Sequence, residues 1–127
     1  MRQFANYIFL APSFRVSSVT SESVIMKSGF TQDRFLTHNE VEPSEESVRK
    51  PGGMLYNFQV KVFVDKLSEA RKKIYGSNAP VIATLMDVES VDKLIVGTPE
   101  SPAVISLVPG TNHDQLVIEW ASKTPVL

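Results

Sequence analysis

Residues 80–120 read PVIATLMDVESVDKLIVGTPESPAVISLVPGTNHDQLVIEW, and this stretch decides the fold. It holds four short apolar runs, VIATLMDV (81–88), KLIVG (93–97), PAVISLV (102–108) and QLVIEW (115–120), each bounded by turn residues. Runs of this length, rich in Val and Ile and punctuated by Gly and Pro, read as strands of a compact antiparallel sheet. Their joints are Asp87–Asp92, the tight Gly97-Thr98-Pro99-Glu100-Ser101-Pro102, and Pro109–Asp114, which opens with Pro-Gly turn chemistry. In the last run Leu116, Ile118 and Trp120 share one face, with Val117, Glu119 and Ala121 on the other.

Working outward, Tyr56–Val64 alternates cleanly. Tyr56, Phe58, Val60, Val62 and Val64 fall on one face and Asn57, Gln59 and Lys61 on the other, with Phe63 the exception. Asp65 can then cap a short helix over Lys66–Tyr75, since a carboxylate accepts from the first-turn amides. Leu67, Ala70, Arg71 and Ile74 form its stripe, Arg71-Lys72-Lys73 complements its dipole, and Gly76 supplies a left-handed end. Nearer the start, Phe4–Ala11 reads as a strand stopped by Pro12, and Val24–Lys27 as another, the second arm of a hairpin. Between them and Tyr56 lies a polar, acidic segment, residues 28–53, that closes on Lys50-Pro51-Gly52-Gly53 and reads as a long surface loop. The expected architecture is a single β-rich α+β domain over 1–127, an antiparallel sandwich or partly closed barrel with one short helix.

Composition narrows the function classes. With 13 basic and 14 acidic residues the net charge is −1, and no basic run exceeds Arg71-Lys72-Lys73. General attraction to nucleic acid or to an anionic membrane needs a clustered positive surface, so direct nucleic-acid binding is not expected. The absence of cysteine removes disulfides, thiolate metal sites and a cysteine nucleophile. Tyr7–Ala11 is too short for a signal-peptide core, and no stretch is long enough to span a bilayer, so no membrane role is expected.

Chemistry is hard to find in the line of residues. The two histidines, His38 in the polar segment and His113 in the last joint, have no metal-type partner at helical or hairpin spacing, and both read as solvated. Asp114 adjoins His113, but neighbouring strand residues point to opposite faces. Glu40/Glu42 and Glu45/Glu46 are paired carboxylates in the most solvated stretch, where nothing would raise one pKa for proton donation. No nucleophile elbow, phosphate loop or dinucleotide fingerprint occurs. The expectation is no catalytic residue, no metal ligand and no cofactor.

The element Lys93–Ala103, KLIVGTPESPA, followed by a polar turn and a terminal strand, resembles small proteins from the structural gene modules of tailed bacteriophages and prophages. In those a "strand, Gly–small–Pro–Glu–x–Pro, strand" element recurs near the end of a chain of similar length. The resemblance spans about the last third of the chain and carries shape alone. It implies a virion component of the neck or tail (connector, ring, tail-completion or tube-associated), made in the bacterial host cytoplasm, whose partners are further copies of itself and other virion proteins. Segment 28–53 and the tail Lys123–Leu127 would make the contacts, unless the tail folds back on its own core. A different reading is a small soluble binding or regulatory module with a pocket lined by Tyr7, Phe58 and Trp120.

Overall fold

The computed structural model describes residues 4–20, 23–76, 78–87 and 93–127. Its strands are β1 (Phe4–Pro12), β2 (Val16–Val19), β3 (Val24–Met26), β4 (Asp33–Leu36), β5 (Ser44–Lys50), β6 (Gly53–Asp65), β7 (Ala79–Asp87), β8 (Lys93–Val96), β9 (Ala103–Val108) and β10 (His113–Ser122). Among the described residues one α-helix, α1 (Glu69–Tyr75), and a single 3-10 turn at Ser13–Arg15 interrupt them. Eight strands form one antiparallel sheet in the order β4-β1-β7-β9-β10-β6-β5, with β8 added to β7. The β-rich α+β architecture is therefore as the sequence implies.

The sheet curls around a single apolar interior. Alternation supplies it: Ile8 and Leu10, Phe58 to Val64 in steps of two, Val81, Ala83 and Leu85, Leu116 and Ile118 all turn inward and are fully or almost fully buried. Each Leu, Ile or Phe so buried contributes roughly 1.5–3 kcal/mol. On the outer face, β2 and β3 make a separate hairpin over Ala11 and Ile82, sealed by Val16, Val19, Val24 and Met26.

Curling brings the residues after β4 against β6, but the sheet does not close. Among the described residues, the backbone spans the seam through one isolated bridge, Thr37 to Val64, and the bond from the His38 amide to the Phe63 carbonyl (2.8 Å). A full ladder is absent there among the described residues, so the sheet is not closed into a barrel.

Segment 28–53 is not one long loop. It contains β4 and β5, and β5 pairs with β6 along its whole length, from Ser44 opposite Gln59 to Lys50 opposite Gly53. The polar sequence of β5 misleads because it is the outermost strand, where both faces can stay solvated. The C-terminal tail folds back: Val126 packs on the core, and its amide donates to the Glu45 carboxylate at 2.6 Å.

The helix begins later than capping chemistry suggests. Pairing with β10 keeps β6 extended to Asp65, which stands opposite His113, so the cap is Ser68, whose hydroxyl accepts from the Arg71 amide (3.3 Å). The buried helical residue is Tyr75, while Ala70 is exposed. Gly76 is extended (φ −90°), not left-handed; a Cβ there would come within 2.7 Å of the Lys72 carbonyl oxygen, so the position needs space.

The Gly97–Pro102 joint also differs from a hairpin turn. Val96 pairs with Ala83 and Ala103 with Val81, so β8 and β9 lie end to end along the same edge of β7. Residues 97–102 form an excursion between them. Thr98 and Ser101 exchange backbone hydrogen bonds (3.0 and 3.2 Å), and the Trp120 indole donates to the Ser101 carbonyl at 2.9 Å. At its neck Gly97 has φ +97°, and a Cβ would meet the Ala103 nitrogen at 2.8 Å and the Val81 oxygen at 3.0 Å. Gly97→Ala is expected to cost about 1–3 kcal/mol through backbone strain, read as a lower urea midpoint at unchanged slope.

Candidate functional site

Three residues of types suited to metal or proton chemistry, two histidines and an aspartate, meet at the seam. Asp65 ends β6 and His113 begins β10; the two are directly opposed partners, so their side chains leave the same face. His38 arrives from the other side, on the segment that crosses from β4. Its Nε2 lies 2.6 Å from Asp65 Oδ1, and its ring centroid is 4.3 Å from that of His113, with the rings tilted by 55°. All three are exposed, and one ligand atom from each lies within 4.8 Å of the others.

The backbone holds this arrangement firmly. Besides the His38 amide bond to Phe63, Asn39 docks on the same strand: the Phe63 amide donates to Asn39 Oδ1 at 2.8 Å, and Asn39 Nδ2 donates to the Lys61 carbonyl at 3.3 Å. His38 therefore stands on an anchored segment rather than in a free loop; both histidines are exposed, as the sequence implies, but they are not isolated, since long-range contacts bring them together with Asp65. The sequence offered no spacing signal because the three positions come from two strands, β6 and β10, and from the segment after β4. Asp65 is the residue that reasoning from sequence assigned to a helix cap.

Directly beneath, Asp114 fixes the turn that carries His113. Its side chain is fully buried and accepts from the Leu67 amide (2.9 Å), from Lys66 Nζ (3.4 Å) and from the Gly110 amide (3.5 Å). The Leu67 bond is the main influence holding its carboxyl below the ordinary range; burial opposes it, and Lys66 and Gly110 assist. Lys66 Nζ also donates to the Gly110 carbonyl at 2.6 Å. Asp114 and His113 point to opposite sides, so the buried carboxylate does not face the imidazole.

A second buried polar group lies where α1 meets β1 and β4. The Tyr75 hydroxyl reaches the Asp33 carboxylate and, at 3.2 Å, the Leu10 carbonyl; Arg15 pairs with Asp33 at 3.4 Å. Burial first, then the hydrogen bond to Asp33 and its charge, push the phenol far above its usual value, so it remains a neutral donor. The Tyr75 ring meets Phe35 edge-on at 5.3 Å, with Arg71 4.4 Å above Phe35. This removes Tyr75 from any nucleic-acid stacking platform with Arg71-Lys72-Lys73, and Lys72 pairs with Glu69 at 3.7 Å.

The pocket expected from Tyr7, Phe58 and Trp120 does not form. Phe58 is buried, Trp120 and Phe58 border an open groove with Asn57, Ser101 and Pro102, and Tyr7 is elsewhere, edge-on to Phe9 and beneath Arg34. Glu40 and Glu42 line a shallow polar groove with Asn39, Ser44, Gln59 and Lys61. Among the described residues, no helix is long and apolar enough to cross a membrane. Comparison with protein-family models, curated proteins and solved structures finds no match.

Proposed function

We propose that the chain is a repeated structural subunit that works by assembly, of the kind that builds the neck or tail of a tailed phage. The virion part rests on the resemblance of the Lys93–Ala103 element. The observation that carries assembly is the outer edge of β5. Nothing among the described residues pairs with it, and such an edge presents a row of backbone donors and acceptors.

The edge is also complementary to itself. Along β5 the acidic residues Glu45 and Glu46 come first and the basic Arg49 and Lys50 last. An antiparallel neighbour centred on Ser47 would set Glu45 opposite Arg49 and Ser44 opposite Lys50, so every charge meets an opposite or neutral partner. Apolar side chains exposed elsewhere add contact area: Phe14 and Phe30 stack edge-on at 6.0 Å on the surface, and Leu36 is more than half exposed.

Native mass by light scattering tests the reading. A discrete multiple of 14.1 kDa is expected, and the double charge reversal R49E/K50E should reduce it. A single 14.1 kDa species at every concentration would overturn assembly. A multimer indifferent to R49E/K50E would remove β5 as its contact.

A further inference from the structure

We propose that His38, Asp65 and His113 form a binding site for a divalent transition metal ion of the zinc class, which staples the seam where the sheet stops short of closing. The proposal concerns a single chain and does not depend on the assembly reading.

The donor set argues for the class of ion. Two imidazole nitrogens and one carboxylate oxygen suit zinc and its neighbours, whereas calcium and magnesium prefer oxygen ligands throughout. Three protein ligands leave at least one coordination position for water or for an atom from another molecule. Exposure of all three side chains gives the ion a direct path in.

The geometry needs little change. Bonds of about 2.1 Å in a tetrahedron place ligand atoms about 3.4 Å apart. His38 Nε2 and Asp65 Oδ1 are already closer than that, at 2.6 Å, and no pair of ligand atoms is further apart than 4.8 Å. Rotation of exposed side chains on fixed backbone closes the difference. The ion takes the place of the proton shared by His38 and Asp65, and binding releases a proton wherever a ligating imidazole was charged.

A surface His–Asp hydrogen bond uses two residues and contributes little by itself. It leaves His113 unused, although its ring is held against His38 by the β6–β10 register and by the Asp114 knot beneath. Chelation uses all three. It also has a structural effect that the pair lacks, because the ligands come from three separate segments and one ion ties β10 as well as β6 to residues 37–39, across a seam that holds one β-bridge and a few hydrogen bonds in place of a full ladder. An ion that binds the folded chain and not the unfolded one must raise its stability.

The test uses the untagged full chain, freed of metal with a chelator and titrated with zinc chloride by calorimetry; cobalt(II) serves as an optical probe of coordination. One ion per chain is expected, with a rise in Tm on adding zinc. His38→Ala and His113→Ala should each weaken binding at least tenfold. Both should leave the Tm of the metal-free chain nearly unchanged, since the residues are exposed. Lys61→Ala, on the same face outside the cluster, should bind like the parent. Should either alanine variant fail to fold, His38→Gln or His113→Gln gives the reading. Absence of binding by the parent chain, or binding retained by the H38A/H113A double variant, would overturn the site.

Discussion

Tyr75→Ala is expected to lower stability by about 3–5 kcal/mol, the largest effect of any single change here. The side chain is the largest of those that are fully buried. It closes the interior from the helix side and carries the edge-on contact with Phe35. Truncation opens a cavity that β1, β4 and α1 cannot collapse into, because each is held by hydrogen-bonded neighbours. It also strips a donor from the Asp33 carboxylate and the Leu10 carbonyl. For a domain this size the Tm should fall by more than about 10 °C. Tyr75→Phe keeps the ring and loses only the hydroxyl, so its cost should be about 1–3 kcal/mol, the penalty of an unsatisfied buried partner. Thermal unfolding by circular dichroism separates the two. Equal losses in both variants would mean that the hydroxyl, not the packing, dominates.

The second large effect belongs to Asp114. Asp114→Ala leaves the Leu67 and Gly110 amides without their acceptor and Lys66 without its counter-charge, a loss of about 2–4 kcal/mol. The carboxyl also sets a pH dependence. Its folded pKa is depressed, so the folded chain binds this proton more weakly than the unfolded chain, and acid favours unfolding. The stabilisation is fully present above the ordinary carboxylate value of about 4 and disappears as pH falls through the lower folded value. Asp114→Asn should flatten that acid limb of the stability curve while lowering its plateau. Urea midpoints measured between neutral pH and pH 3 provide the check, and an acid limb unchanged in D114N would assign it to other carboxylates.

What the sequence disclosed, and what it hid, follows from how each element is stabilised. Strand β6 announces itself because one face is buried, so Phe58, Val60 and Val62 alternate with polar Gln59 and Lys61, while β7 reads as a continuous apolar run because β2 and β3 cover its outer face over Ile82. Strand β5 carries no such pattern, because backbone pairing with β6 holds it and its side chains mostly meet water. The helix starts later than its local cap signal for a related reason: Asp65 is a good cap locally, but ladder bonds to β10 hold the chain extended through it and outweigh a cap worth about 1 kcal/mol. The His38–Asp65–His113 cluster was illegible because it depends on strand register and on the docking of residues 37–39, both set by long-range contacts. His113 alone gave no hint. Only a correct pairing of β6 with β10 would have placed Asp65 beside it.

The end-to-end placement of β8 and β9 has an evolutionary consequence. Because Gly97 and Ala103 are pinned together at the neck, the length of what lies between them is decoupled from the sheet. Extra residues introduced around Pro99 and Glu100 would add only loop-closure entropy, which grows slowly with length, while Val96 and Ala103 keep their places along β7. The latch from Trp120 to Ser101 marks where the graft must end. The protein thus carries a socket in which new surface can be tried without renegotiating the fold, and related chains can be expected to differ most in length there.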